Sequence, residues 1–458
     1  MNRKSHRNYN YLYFSVVTAS CLFISSGSWV VWISPIIPKF LSNDTSINPL
    51  GASITVLQVS ALLSLSPIGI IVGTICLGKL PDIIGRKATL IIVAAIVTIV
   101  DVALYFARYL YQFIIFLLMK AVIQALCLVT LPSYVAEIAD DHNRGSLGSL
   151  LSVMLILGQL YAYGLGIVTS VKSFFLFCSL PSFVVFVVSP FIPESPIYLS
   201  IKKDEFAAAK VLKKLGRTIK LRNIDENQHM LRTYNPSTTL TWKSLIFDRP
   251  TRKGFILNLG IISFFDLSGI LVVIGFMPTI FKDVGGSLGP EVLAFIVMAI
   301  KLLVTILAIN VIEKLGRRPM ILTGFFICGC SMFVLGIFFY FKHNGYVLTQ
   351  VVKLIPLITV LCFVVASAMG ISPVLLVLRA ELLPNELRSL GSSLSQFFGT
   401  IIAGILMFCY PLMSSYWGMY YCMFIFSFIC FCAFGFLYLL LPETKGKSFS
   451  EIRKILDG

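Results

Sequence analysis

The chain has 458 residues, of which 57% are hydrophobic and only 13% are charged. An ordinary soluble domain carries about 25% charged residues, so this composition excludes a water-facing globule and makes lipid the main solvent. The formal net charge of +16 does not point to nucleic acid, because the Lys and Arg fall in short blocks between apolar runs, a pattern that belongs to membrane topology.

Met1 to Tyr13 lack the cleavage site of a signal peptide, and the apolar run behind them is long enough to be a first membrane helix. Runs long and apolar enough to cross a bilayer predict spans at 11–38, 53–78, 88–107, 111–135, 146–169 and 173–192. After one long polar stretch, further spans are predicted at 254–281, 289–311, 319–341, 354–378, 390–413 and 418–441. With both termini in the cytoplasm, only six of the 37 basic residues fall in outer loops: Lys39, Arg108, Lys172, Lys282, Lys342 and Lys353. The positive-inside rule therefore fixes that orientation, even when the long central loop is set aside. In the first outer loop, Asn43-Asp44-Thr45 is an acceptor triplet for N-glycosylation at Asn43.

Between the two sets of spans, Asp204 to Leu215 begins with acids and ends in lysines, as a helix dipole prefers. The segment 193–253 is expected to form short amphipathic helices under the membrane, with a disordered linker as the alternative. The fold class is thus an all-α membrane protein: two six-helix bundles, residues 1–192 and 254–458, joined by a cytoplasmic helical linker.

The eleven cysteines, Cys328 and Cys330 among them, lie mostly inside apolar runs without metal-ligand spacing and read as core residues. His6, His142, His229 and His343 lie in the tail or loops, so no acid–base constellation of an enzyme is expected, and no cofactor or metal. Nothing repeats like a channel filter.

The two halves share motifs in the same order. Asp82-Ile83-Ile84-Gly85-Arg86-Lys87 follows the second span, and Glu313-Lys314-Leu315-Gly316-Arg317-Arg318 the eighth. Glu137 with Arg144 ends the fourth span, and Glu381 with Arg388 the tenth, each pair seven apart. Glu194, in Pro193-Glu194-Ser195-Pro196, ends the sixth; Glu443, in Pro442-Glu443-Thr444-Lys445, ends the twelfth. The offsets between halves are 231, 244 and 249 residues. Acids and bases at helix ends lie where ion pairs are worth more than in bulk water, and Gly85 and Gly316 permit the tight turns. If such pairs bridge the halves, they form a latch that closes one face and breaks in the other state.

These motifs resemble those of the sugar porters of the major facilitator superfamily over essentially the whole chain. Trp32-Ile33-Ser34-Pro35 and Tyr134-Val135-Ala136-Glu137-Ile138-Ala139 are similar to insect facilitated trehalose transporters. The resemblance implies two six-helix bundles around a central cavity. It also implies a salt-bridge network of Asp82, Arg86, Lys87, Glu137, Arg144, Glu194, Glu313, Arg317, Arg318, Glu381, Arg388 and Glu443. The expected partners are a sugar and the lipid bilayer, with no nucleic acid; the expected state is a monomer in the plasma membrane.

The sugar-contact motifs of the family are altered. Its seventh-span Gln-Gln-x-Ser-Gly-x-Asn reads Phe265-Asp266-Leu267-Ser268-Gly269-Ile270-Leu271, and its tenth-span Gly-Pro-x-Pro-Trp reads Ser372-Pro373-Val374-Leu375-Leu376. Ser152 stands at the fifth-span Gln, Gly399-Thr400 at the eleventh-span Asn-Trp, and Trp29 at the first-span acid of the proton-coupled members. Sugar hydroxyls that leave water must regain their hydrogen bonds, so two readings stay open. One is facilitated diffusion of a sugar such as glucose or trehalose, contacted by Ser152, Gln159, Phe265, Asp266, Ser268, Gly269, Leu376 and Gln396. The other is a divergent carrier of a non-sugar or a proton- or cation-coupled substrate, or a porter-like protein that transports nothing.

Four charges fall inside predicted spans: Asp101, Lys120, Asp266 and Lys301. Each unpaired would cost at least about 2.5–3.5 kcal/mol. At about 1.5 Å of rise per residue, Asp101 and Lys120 have matching depths, as do Asp266 and Lys301, so two intramembrane pairs are expected.

Overall fold

The computed structural model describes residues 9–44, 47–140, 143–216, 248–282, 284, 288–347, 349–383, 385–445, 447, 451 and 455. Twelve helical segments are long and apolar enough to cross a membrane. Six precede the linker: Asn10–Phe40, Val56–Ile84, Arg86–Phe106, Leu110–Ile138, Gly145–Val168 and Val171–Phe191. Six follow it: Arg249–Gly275, Pro290–Ala308, Arg317–His343, Val352–Arg379, Leu390–Tyr416 and Met419–Leu440.

Local chemistry sets several of their starts. Thr55 and Gln58 form a reciprocal capping box before the second span, Gln58 Oε1 accepting from Thr55 N at 2.8 Å. Gln112 Oε1 takes the free N–H groups of Arg108 and Tyr109 before the fourth span. Asp204 caps the amphipathic helix Glu205–Lys214, its carboxylate accepting from Ala207 N at 3.0 Å. Of the rest of the expected linker helices, 217–247 lies outside the described residues.

Three spans are interrupted. The first breaks at Trp32, between Asn10–Val31 and Ile33–Phe40. The seventh stops at Leu267 and resumes as Ile270–Gly275 and Met277–Phe281. Gly269 makes that break with a φ of +84°, a conformation that only glycine enters without strain. The tenth carries a π-helical turn at Ser367–Ile371, followed by Pro373 in the first turn of Ser372–Glu381. Broken helices leave backbone polar groups free inside a membrane, which is tolerated only where protein or a wet cavity surrounds them.

Within the first half, spans one and five cross at Gly27 and Gly158. A Cβ on Gly27 would meet Leu155 O at 1.9 Å and one on Gly158 would meet Ile24 O at 2.1 Å, the small-residue contact of membrane helices. The halves meet along two flanks, the second span against the eleventh and the fifth against the eighth. They meet again at the end opposite the motifs, where Ile33–Phe40 packs on Ile270–Gly275 and Met277–Phe281. There one hydrophobic core runs through both halves, joining Trp32, Ile36 and Phe40 to Val273, Met277 and Tyr410.

The motif end differs. A separate cluster of Leu12, Phe23, Leu90, Leu131, Tyr134 and Leu215 draws on the first half alone. Leu383 and Leu387 gather with Phe255 from the second half alone. The described structure is therefore closed at one end and divided at the other.

Candidate functional site

At the motif end each half carries the same cage. Gly85, with φ +101°, precedes the third span. Glu194 reaches that helix start from the end of the sixth span and accepts from Arg86 N and Lys87 N, both at 3.0 Å. A carboxylate on free N–H groups at a helix N-terminus satisfies both hydrogen bonding and the dipole. The Arg86 guanidinium binds Asp82 at 2.8 Å and Glu137 at 3.1 Å, and Lys87 Nζ donates to Pro190 O at 2.7 Å. Ser195 Oγ donates to the second oxygen of Glu137.

The second half repeats this. Gly316, with φ +94°, precedes the ninth span, and Glu443 accepts from Arg317 N and Arg318 N, both at 3.1 Å. Arg317 binds Glu381 at 3.2 Å. Arg318 donates to Tyr438 O at 2.8 Å. The side chains of Arg144, Glu313 and Arg388 lie outside the described residues. Among the described residues, these motif contacts each stay within one half and form two internal cages, as expected of a state in which a latch across the halves is broken. Among the described residues, the buried apolar clusters at this end do not join the two halves.

Deeper in the membrane, Lys120 Nζ donates to Asp101 Oδ1 at 2.6 Å, the side chains being 2% and 0% exposed. Lys120 also sits over the Trp29 ring at 5.3 Å, and Trp29 stacks on Trp32 at 5.8 Å. The expected Asp266–Lys301 pair is absent. Lys301 Nζ donates instead to Gln159 Oε1 at 3.0 Å, a bond from the eighth span to the fifth that crosses the halves. Asp266 faces the eleventh span, where a Cβ on Gly399 would lie 2.7 Å from its Oδ2. Equal depth fixes only the position along the helix axes; the two residues point to different neighbours around them.

Sequence reasoning missed Arg379. At the end of the tenth span it read as one more topological base, yet its guanidinium Nε is buried without a hydrogen-bond partner. Asn258, 1% exposed in the seventh span, was missed too. Asn258 Nδ2, Arg379 Nε, Trp29 Nε1 and the Tyr410 hydroxyl are buried without a hydrogen-bond partner. Nothing but burial marks these groups, and burial is not written in sequence.

Of the remaining candidates, Ser152 is half-buried and Gln159 buried, seven residues apart on one face of the fifth span. Phe265 is half-buried, and Ser268 Oγ donates back to Phe265 O at 2.7 Å, which leaves that hydroxyl engaged with its own helix. Gly269 lies against Phe426. Gln396 is exposed, and the Leu376 side chain lies outside the described residues. Asn43 is exposed, whereas Thr45 of its triplet is outside the described residues. A second link across the halves is the Tyr163 hydroxyl, which accepts from Ser34 Oγ at 3.0 Å and donates to Ile274 O.

The repeated cages, the broken first and seventh spans and the two-flank contact match a known architecture. A family model described as "Sugar (and other) transporter" matches residues 13–456. The chain belongs to this sugar transporter family. Its fold is that of the major facilitator superfamily, helical with twelve candidate membrane helices among the described residues. The inward-open structure of the xylose transporter XylE from E. coli superposes with a TM-score of 0.79, covering 97% of this chain and 99% of that one at 22% identity. Among relatives, the putative metabolite transport protein YwtG of Bacillus subtilis is 28% identical over 408 residues, 87% of this chain and 86% of that protein. The facilitated trehalose transporter Tret1 of Polypedilum vanderplanki is 25% identical over 456 residues, 98% of this chain and 89% of that protein. Within this sugar transporter family, the intramembrane charges of Asp266 and Lys301 are what the chain's own site has to explain.

Proposed function

We propose that this chain carries a sugar across a membrane by passive alternating access, without covalent chemistry. The observation that carries the reading is the asymmetry of the core: one end is sealed by residues of both halves, and the other is divided into two. A carrier of two bundles, 1–192 and 254–458 with 193–253 between them, needs both such states. The cages of Asp82, Arg86, Glu137 and Glu194, and of Arg317, Glu381 and Glu443, keep each bundle rigid as it rocks. Passive transport is supported by the first span, Asn10–Phe40, which contains no Asp or Glu to take up a coupled proton.

In this reading the protein is a monomer in the plasma membrane with both tails cytoplasmic, and the divided end faces the cytoplasm. Ser152, Gln159, Phe265, Asp266, Ser268, Gly269, Leu376 and Gln396 are the residues proposed to meet the sugar, and Asn43 is the proposed glycosylation site. The test is counterflow of labelled sugars, glucose and trehalose first, into proteoliposomes holding the purified chain. Saturable flux that leaves the internal pH unchanged is expected; no saturable flux with any sugar ends the reading.

A second reading, a coupled or non-sugar carrier, is favoured by Asp266, which is 8% exposed and has no hydrogen-bond partner among the described residues. Under it, flux depends on pH and Asp266→Asn removes that dependence.

A further inference from the structure

Lys301 is anomalous. It lies mid-membrane at the contact between the fifth and eighth spans, and is 8% exposed. An ammonium has three donors, yet among the described residues Lys301 has one acceptor, the neutral Gln159 amide oxygen. An intramembrane charge is costly, and those found inside proteins are paired or mark a substrate path.

The nearby charges do not pair with it. Asp101 and Lys120 neutralise each other at 2.6 Å. Asp266 faces Gly399. What remains is one positive charge at the boundary of the two halves, on a bond that joins them. The Gln159 amide N–H groups also have no acceptor among the described residues, so a ligand that enters here meets an ammonium and an amide side by side.

We propose that Lys301 recognises the carboxylate of a monoanionic, polyhydroxylated solute, a sugar acid. The proposal rests on the transport reading above and narrows its substrate class. One negative charge neutralises Lys301, which has no acidic partner among the described residues. A phosphorylated sugar, close to two charges at neutral pH, would leave an excess. The carboxylate takes the Lys301 ammonium from the Gln159 amide oxygen and accepts from the Gln159 amide N–H groups. Seated there, the anion replaces the bond between Lys301 and its neutral partner by a stronger, charge-assisted one, on the contact that the halves share.

The test uses the full chain in proteoliposomes with labelled glucuronate and glucose, each with the other as competitor. Wild-type protein is expected to take up glucuronate saturably, at least tenfold faster than glucose at equal concentration. Lys301→Met is expected to lower the glucuronate-to-glucose ratio at least tenfold, and Lys301→Arg, which keeps the charge, to hold it within threefold of wild type. The ratio is read from one preparation, so loss of folded protein does not imitate the effect. Glucose uptake without glucuronate uptake or competition overturns the proposal and leaves sugar transport standing. An unchanged ratio in Lys301→Met also overturns it. Flux of neither solute removes this proposal and counts against the transport reading as well.

Discussion

Asp101 and Lys120 offer a quantitative test of how the membrane interior treats charge. At 2.6 Å and an effective dielectric constant of 20, Coulomb attraction is worth about 6 kcal/mol. Taking both ions out of water costs several kcal/mol each, so the pair contributes little beyond what apolar side chains of similar size would give. Removing one partner leaves a charge that is 0% or 2% exposed with nothing to compensate it. Asp101→Leu and Lys120→Met should therefore each destabilise the protein by about 3–5 kcal/mol. Asp101→Leu should be the worse of the two, since only the Trp29 ring then faces the ammonium. The double variant should return to within about 1 kcal/mol of wild type. Thermal unfolding of the purified variants in detergent, followed by monodisperse fraction against temperature, reads all four corners of the cycle. If the double variant loses as much as the two singles together, the pair has no energetic coupling and the argument fails.

The cages make two further predictions. Burial pushes the Glu443 carboxyl up, but the backbone N–H groups of Lys445, Arg317, Arg318 and Thr444 outweigh it, so its pKa lies below the ordinary 4.5. A lowered folded pKa means that its stabilisation is full at neutral pH and is lost as pH falls through the folded value. Melting temperatures taken from about pH 7 down to about pH 3 should thus fall more steeply for wild type than for Glu443→Gln; parallel curves would refute the assignment. Gly85→Ala and Gly316→Ala each force a side chain into a region of positive φ and extended ψ that is essentially glycine's alone, a cost of about 1–3 kcal/mol. Gly85→Ala should lose more, because its Cβ would lie 2.4 Å from Glu194 Oε2, against 3.0 Å from Glu443 Oε2 at Gly316. Equal melting shifts, or the reverse order, would show that the carboxylates do not sit over these turns.

The parts legible in the sequence were those that composition and repetition encode. Twelve apolar runs sufficed for the spans, because a bilayer demands length and apolarity before anything else. Glu194 and Glu443 were recoverable from their place at repeated offsets, although the sequence did not reveal that each caps the neighbouring helix start. The Asp101–Lys120 pair was legible because the two residues flank a short turn between consecutive antiparallel spans, which restricts rotation as well as depth. Asp266 and Lys301 belong to consecutive spans of the second half as well, and depth alone misled there: Arg249–Leu267 packs on the eleventh span, where the Asp266 carboxylate lies, and Lys301 turns to the fifth. Arg379 was illegible for a different reason. A base two residues from Glu381 at a helix end looks like membrane topology, and only the fold shows its Nε buried without a hydrogen-bond partner.

Placing the motif charges inside each half changes what the proposed rocking must break. A latch between halves would be lost and remade in every cycle. A cage such as Arg86 with Asp82, Glu137 and Glu194 can persist throughout, because its helices move together. Contacts that cross the halves in this state also bear on the balance between states, among them the two flanks, the shared core at the sealed end, the Tyr163–Ile274 bond, and Lys301 on Gln159. The core contacts are apolar and shed their partners to water or lipid, which sets a barrier common to any solute. Lys301 is the cross-half contact whose strength depends on what is bound, and a ligand shifts a two-state equilibrium only through its differential affinity for the two states. A solute that satisfies Lys301 better than Gln159 does therefore biases the halves as it binds, whereas one that leaves the bond intact does not.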